Sequence, residues 1–166
     1  MRIPVFVSCP TTLSTKQDAA RNLILAELNN YELEPRALGR SDYPTDYPLR
    51  EVLVIAKHCS GGVILGFEIF QTPSGVWRRG TPESEKASDV RFPTPWNHLE
   101  AGILFSLGLP LLVFREGGIL GGVFDSGVTD VFVHKMPTVP FPPASQKGLS
   151  QVFLKWQSKV REHYYK

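Results

Sequence analysis

The segment Val63-Ile64-Leu65-Gly66-Phe67 is the part of the chain from which the architecture follows most directly. Every position in it is apolar or glycine, so a strand formed here has no polar face. Strands that are apolar on both faces are typical of parallel sheets, because helices cover both faces of such sheets. The segment therefore predicts a buried central strand of an α/β fold.

On either side of this segment, short apolar runs alternate with helical patterns. The runs predict two strands before it, at Ile3–Ser8 and Glu34–Leu38, and two after it, at Leu111–Phe114 and Val131–Val133. Apolar residues at helical spacing predict four helices, at about Thr15–Asn29, Pro48–Cys59, Pro95–Leu107 and Ser145–His163. Capping signals precede three of them: Ser14-x-x-Gln17 resembles a capping box, Pro48 is placed to open the second helix, and Thr94-Pro95 caps the third. This alternation favours a flavodoxin-like three-layer sandwich around a five-stranded, mostly parallel sheet with strand order 2-1-3-4-5.

Residues 68–93 interrupt the alternation. They contain several glycines and prolines and many charged residues, without a clear apolar period. Loops of this length in a compact domain are usually functional or mobile. We therefore expect one domain over residues 1–166 that carries a long, poorly ordered insertion at about 68–93.

Composition excludes several classes of function. The chain has 166 residues and a net charge of +2, which is too small and too dispersed to indicate nucleic-acid binding. No apolar run approaches the ~20 residues that a membrane span needs. The opening Met1-Arg2-Ile3-Pro4 does not resemble a signal peptide, and a cytoplasmic protein without membrane association is expected.

The cysteines and histidines do not predict a metal centre. Cys9 and Cys59 are too few for a disulfide framework, and we expect both to be reduced thiols. None of the four scattered histidines has zinc-ligand spacing with them. No metal site is therefore expected.

Ligands of open parallel sheets bind beyond the carboxyl ends of the strands, where the strand order reverses. That rule brings together the loop after the first strand, the loop at residues 39–48 and the end of the central strand at Phe67. The hydroxyl and backbone N–H groups of the first loop either hold a ribose or phosphate or only cap the next helix. Arg40 and Asp42 in the second loop either contact a diphosphate or hydroxyl or are solvated surface residues. The predicted substrate-binding residues in these segments are Ser8, Cys9, Pro10, Thr11, Arg40, Asp42 and Phe67.

Glu100 is the predicted catalytic residue. It lies in the helix that begins near Pro95, and its neighbours one and two turns away on that helix are apolar, namely Trp96, Ile103, Leu104 and Leu107. Burial of an unpaired carboxylate is costly or raises its pKa, and carboxylates of this kind are concentrated in active sites. The structural alternatives are that Glu100 pairs with a basic residue or that this helix face is less buried than its apolar residues indicate.

Three segments resemble Toll/interleukin-1 receptor (TIR) domains. Thr94-Pro95-Trp96-Asn97-His98-Leu99-Glu100 resembles the S-x-W-x-x-x-E segment of that family. Val5-Phe6-Val7-Ser8 resembles its first strand, and Arg40-Ser41-Asp42-Tyr43-Pro44 resembles the loop after its second strand. The resemblance extends over about residues 3–136. A related resemblance, carried by the opening strand and Glu100-Ala101-Gly102, is to the nucleoside 2-deoxyribosyltransferases.

The TIR resemblance implies an enzyme that takes NAD as substrate and has no tightly bound cofactor. Glu100 would be the carboxylate that acts when the bond between nicotinamide and ribose breaks, in a glycohydrolase or an ADP-ribosyl cyclase. Trp96 would lie at the pocket edge, although for this residue alone packing in the core is the favoured role. Asn97, which stands where the family usually has cysteine, is the remaining predicted substrate-binding residue.

Other implications of the resemblance concern partners and alternatives. Enzymatic TIR domains often act in immunity or cell-death signalling, and they often need self-association or a triggering protein partner. The alternatives are a nucleoside 2-deoxyribosyltransferase or nucleotide N-glycosidase, and an interaction module without catalysis. This chain departs from the TIR pattern where Pro44-Thr45 replaces the usual Pro-Gly pair, and at the 68–93 insertion. These departures leave the substrate open.

Overall fold

The computed structural model of this chain describes residues 1–37, 39 and 46–166. The strands are β1 (Ile3–Ser8), β2 (Leu33–Arg36), β3 (Gly62–Gly66), β4 (Phe70–Trp77), β5 (Glu85–Phe92), β6 (Leu111–Arg115) and β7 (Val133–Lys135). The helices are α1 (Thr15–Asn30), α2 (Pro48–Lys57), α3 (Pro95–Ser106) and α4 (Pro143–Tyr164).

The main sheet has five strands in the order β2-β1-β3-β6-β7. Each of its neighbouring pairs is parallel. Val63 of the central strand is in register with Val7 on one side and Leu112 on the other. The strands β4 and β5 lie outside this sheet. When the five remaining strands are counted in chain order, their order in the sheet is 2-1-3-4-5, so the predicted strand order is confirmed.

Helices cover both faces of the sheet, as a buried central strand requires. Val63 and Leu65 of β3 belong to the core that α1 and α4 cover. Ile64, between them, points to the opposite core, which α2 and α3 cover. This alternation follows from the two-residue repeat of a strand, and it makes the fold the flavodoxin-like three-layer sandwich that was predicted.

The starts of three helices follow the predicted capping signals. Ser14 and Gln17 form a reciprocal capping box at the start of α1. Pro48 opens α2 at a position where the missing N–H is not needed. Thr94 caps α3 by accepting a hydrogen bond from the backbone N–H of Trp96, and Pro95 is its first residue. The cap at Thr94 therefore fixes the start of the helix that carries Trp96 and Glu100.

Residues 68–93 are not the long loop that was expected. Strands β4 and β5 form an antiparallel hairpin in which Phe70 pairs with Phe92 and Trp77 pairs with Glu85. The ring of Phe92 contacts the rings of Phe70 and Trp77, with centroids 6.3 and 5.9 Å apart. Cross-strand aromatic contacts of this kind stabilise a ribbon that has little other burial.

The edge strands differ from the predictions by a few residues. β7 occupies Val133–Lys135 and not Val131–Val133, because its register is set by pairing with Val113–Arg115 of β6. β2 begins at Leu33, one residue earlier than predicted, and its predicted end at Leu38 lies outside the described residues.

Across the described ranges, none of the helices combines the length and the apolar character that crossing a membrane would require.

Candidate functional site

A cleft of about 690 Å³ lies beyond the carboxyl ends of β1 and β3. One wall is the loop that joins β1 to α1, from Cys9 to Ser14. The opposite wall is the first two turns of α3, and Glu68 and Ile69 close the cleft where β3 leads into the hairpin. This volume is in the range of small-molecule sites. The cleft therefore lies where the strand order predicts a ligand.

Glu100 lies in the wall of this cleft, two turns into α3. Burial raises the pKa of its carboxyl from 4.5 to about 7, and a hydrogen bond with the Ser8 side chain partly opposes this rise. Leu104, one turn further along α3, is fully buried, so Glu100 stands at the boundary between the core and the cleft. Near neutral pH the carboxyl can therefore exchange a proton with a molecule in the cleft.

Ser8 and Asn97 form a buried polar group behind Glu100. Both side chains are fully buried. The Nδ2 atom of Asn97 donates to Ser8 Oγ at 2.8 Å and lies 3.4 Å from the Ser8 carbonyl oxygen. Neither residue lines the cleft, which corrects the expectation that they contact the substrate directly. Their hydrogen bond joins the end of β1 to the first turn of α3 inside the protein.

Trp96 lies on the rim of the cleft and not in the core. Its side chain is 40% exposed, and it is one turn before Glu100 on α3. The preference for core packing of this residue is therefore wrong. The structure also places Cys9, Pro10 and Thr11 on the cleft wall, where they were predicted.

The other predicted site residues do not reach the cleft or lie outside the described residues. Phe67 is fully buried and packs in the core beneath α1 and α4, so the expectation that it contacts substrate is corrected. Arg40 and Asp42 lie outside the part of the chain that the structure describes.

A second polar cluster, missed by the sequence-based prediction, lies beside the cleft around Glu116. Its Oε2 atom accepts hydrogen bonds from Gln17 Nε2 at 3.0 Å and from the backbone N–H of Glu68 at 2.6 Å. Gln17 also donates to the Glu68 carbonyl oxygen at 3.0 Å, and the Glu68 carboxylate pairs with Arg91 at 3.4 Å. These contacts hold together α1, β3, β5 and β6 at the edge of the cleft. The capping box predicted the role of Gln17 at the helix start, but it did not predict the hydrogen bonds of Gln17 with Glu68 and Glu116.

Among the described residues, no group of three or more histidine, cysteine, aspartate or glutamate side chains is arranged so that it could hold a metal ion.

A scan of the chain against protein-family models finds no match, and a search of the curated proteins finds none either.

Proposed function

We propose that this chain is a TIR-like NAD glycohydrolase or ADP-ribosyl cyclase that breaks the bond between nicotinamide and ribose. The observation that carries the proposal is Glu100, a carboxyl with a raised pKa of about 7 in the wall of a cleft of about 690 Å³. It agrees with the resemblance of the Trp96–Glu100 segment to the family's W-x-x-x-E motif.

The chemistry needs one carboxylate. When the bond between ribose C1′ and the nicotinamide nitrogen breaks, its electron pair stays with nicotinamide, which leaves as a neutral molecule. Positive charge develops on the ribose, and the Glu100 carboxylate stabilises that charge. Water then attacks C1′ and gives its proton to Glu100 in hydrolysis, whereas in cyclisation a nitrogen of the adenine base attacks.

The contacts of Glu68, the second carboxylate in the cleft, favour a reaction in which the leaving group needs no proton. Glu68 also lines the cleft, but it is engaged in an ion pair with Arg91 at 3.4 Å. This ion pair engages the second carboxylate of the cleft. Nicotinamide, which leaves a cationic nucleotide, needs no proton from it.

The remaining walls suit the parts of a nucleotide. The exposed face of Trp96 offers a surface on which the cationic nicotinamide ring can stack. On the opposite wall, the hydroxyl of Thr12 and the start of α1 offer hydrogen-bond donors to ribose and phosphate oxygens.

Incubation of concentrated protein with NAD, followed by chromatography with mass detection, tests the proposal. The wild-type protein is expected to release nicotinamide, and the second product identifies a hydrolase or a cyclase. Glu100→Gln keeps the size and the hydrogen-bonding capacity of the side chain and is expected to abolish release. Release that is equal in the two proteins would exclude Glu100 as the catalytic residue.

A nucleoside 2-deoxyribosyltransferase or nucleotide N-glycosidase is the second candidate, because the same Glu100 can protonate a departing base when its own carboxyl is protonated. The direction of the pH profile separates the two. Stabilisation of a ribosyl cation needs the ionised form, so nicotinamide release should rise with pH and level off above about 7. Base exchange that uses Glu100 as the acid should fall over the same interval.

The proposal also includes self-association or binding of a protein partner, and the β4–β5 hairpin offers a surface for it. The hairpin exposes Phe70, Trp77 and Phe92, which are 58, 46 and 36% exposed, and exposed apolar groups of this kind often mark interaction sites. We expect activity per molecule to rise with protein concentration through self-association or with a triggering protein partner, as an immune or signalling effector would require. Protein that is silent with both NAD and a deoxynucleoside–base mixture at high concentration would favour a non-catalytic interaction module.

A further inference from the structure

We propose that a second pocket beside the cleft binds the phosphate groups of the nucleotide substrate through the ammonium groups of Lys16 and Lys135. This side pocket has a volume of about 290 Å³ and shares Ser14, Gln17 and Glu68 with the cleft, so the two cavities are neighbours. The inference rests on the proposed function, since it states how the substrate of that function is held outside the cleft. It assigns the enzyme a preference for phosphorylated nicotinamide ribosides over the unphosphorylated nucleoside.

The side pocket lies at the ligand-binding edge of the sheet. Lys135 is the last residue of β7, and it is in register with Arg115, the last residue of β6. Met136, the next residue, is buried and donates its N–H to the Arg115 carbonyl oxygen at 2.8 Å, which anchors the backbone beside Lys135. Lys16 lines the pocket from the first turn of α1. Both lysines therefore extend from regular structure at the edge where open parallel sheets bind ligands.

The charges that line the side pocket favour an anion. Among the described residues, three cations and two carboxylates line it. Both carboxylates have partners within the protein, because Glu68 pairs with Arg91 at 3.4 Å and Glu116 accepts two hydrogen bonds through Oε2. Within the same part of the chain, neither Lys16 nor Lys135 is engaged in an ion pair. The two ammonium groups are therefore the charges that remain for a ligand.

The size and position of the side pocket suit one part of a nucleotide. Its volume of about 290 Å³ is at the lower end of the range for small-molecule sites, whereas the cleft has about 690 Å³. In NAD the phosphates follow directly after the ribose that carries nicotinamide. When that ribose is in the cleft, the phosphates can reach the neighbouring pocket past the start of α1, whose free N–H groups also favour an anion. Lysine is a common ligand of phosphate.

Binding of ADP-ribose tests the side pocket without any reaction, because ADP-ribose has the two phosphates of NAD and lacks nicotinamide. Isothermal titration calorimetry at low salt should show binding to the wild-type protein. Lys16→Gln and Lys135→Gln should each raise the Kd about tenfold. This is the lower end of the loss expected for a hydrogen bond to a charged group, because both lysines are exposed.

Lys159→Gln is the matched control. Lys159 is also an exposed lysine and its substitution removes the same charge, but it lies on α4 and lines neither the cleft nor the side pocket. It should leave the Kd unchanged. Wild-type protein that does not bind ADP-ribose overturns the proposal, and so do Lys16→Gln and Lys135→Gln variants that bind it as tightly as wild type. An equal loss of affinity in Lys159→Gln would reflect net charge alone and overturns it too.

Three substrates locate the contact on the nucleotide. NAD carries two phosphates, nicotinamide mononucleotide carries one and nicotinamide riboside carries none, but all three contain the bond that the proposed reaction breaks. Lys16→Gln and Lys135→Gln should raise KM for NAD about tenfold and leave KM for the riboside unchanged, with kcat little affected. A rise in KM that is equal for NAD and the riboside would mean that the lysines do not act on phosphate, and it overturns the proposal.

The two proposals fail separately. Wild-type protein that releases no nicotinamide from any of the three substrates overturns the proposed function, and ADP-ribose binding still decides whether the side pocket binds phosphate. Nicotinamide release from NAD with a KM that is the same in wild type, Lys16→Gln and Lys135→Gln overturns the role of the side pocket, while the proposed function stands.

Discussion

Glu100 and Glu116 are two carboxylates at the same edge of the sheet, and their surroundings differ. One oxygen of Glu116 accepts two hydrogen bonds, from Gln17 and from the backbone of Glu68. The Glu100 carboxyl is partly buried in the cleft wall, and burial raises its pKa to about 7. Glu116 thus connects elements of the fold, whereas Glu100 is held in an environment that disfavours its charge.

This difference indicates that the two carboxylates have different roles, one structural and one chemical. Hydrogen bonds that satisfy a carboxylate stabilise the folded chain and leave the group unavailable for chemistry. A carboxylate that the protein solvates poorly destabilises the chain but can respond to charge that develops in a ligand. We infer that Glu116 maintains the cleft and that Glu100 acts in it.

The largest expected effect is on catalysis. Glu100→Gln should lower nicotinamide release by about a thousandfold, in the range that removal of a charge-stabilising group produces. Glu116→Gln should lower it less than tenfold, because the glutamine Oε1 atom can still accept the hydrogen bonds from Gln17 and Glu68. Rates measured under identical conditions make the comparison. Equal losses in the two variants would remove the distinction between the two carboxylates.

The second effect is on stability and has a defined pH dependence. The folded-state pKa of Glu100 is about 7, above its ordinary 4.5, so the folded protein binds this proton more tightly than the unfolded chain does. The associated stability is fully present below about 4.5 and is lost as pH rises through about 7. Glu100→Gln should therefore match wild type near pH 4 and be more stable by about 3 kcal/mol at pH 8.

Denaturant unfolding at several pH values measures this difference. Wild-type protein unfolded at the same pH values is the reference. A Glu100→Gln variant that is less stable than wild type at pH 8 would mean that the Glu100 carboxylate has stabilising partners in the folded protein.

The third effect is also on stability, but here the substitution is expected to destabilise the protein. Glu116→Ala leaves Gln17 Nε2 and the Glu68 N–H without their acceptor, so the free energy of unfolding should fall by about 1–3 kcal/mol. Glu116→Gln should recover most of that loss. Thermal and denaturant unfolding of both variants check the prediction, and an Ala variant as stable as wild type would show that water replaces the carboxylate without cost.

The fold was largely predictable because its evidence is local. The alternation of apolar runs such as Val63–Phe67 with helical patterns predicted the strand order, and Ser14, Pro48 and Thr94 predicted where three helices begin. The hairpin was missed because β4 and β5 are polar and largely exposed, so they lack the alternating apolar pattern on which strand prediction depends.

The site was predictable only in part, for a similar reason. Glu100 could be identified because its helical neighbours are apolar, and those neighbours are visible in the sequence. Whether a strand residue such as Ser8 reaches the cleft or is buried behind it depends on the packing of α3, which the sequence does not state. The Glu116 cluster joins residues about 50 and 100 positions apart, and no local pattern brings them together.

The smallest expected effect concerns Trp96, the exposed neighbour of Glu100 on the cleft rim. Trp96→Leu should raise KM for NAD about threefold to tenfold, as expected for loss of an aromatic contact. It should not lower kcat, because an indole face attracts the cationic nicotinamide ring of the bound substrate more strongly than the neutral nicotinamide that leaves. Leu99→Ala, at a 48% exposed position on the same helix outside the cleft, is the control.

Trp96→Leu also helps to distinguish NAD cleavage from deoxyribosyl transfer. A deoxynucleoside carries an uncharged base, so loss of the indole face should change its KM less than that of NAD. Steady-state kinetics with both substrates therefore distinguish recognition of a cationic ring from simple apolar contact. A fall in kcat without a change in KM would mean that Trp96 supports the position of Glu100 and does not hold the substrate.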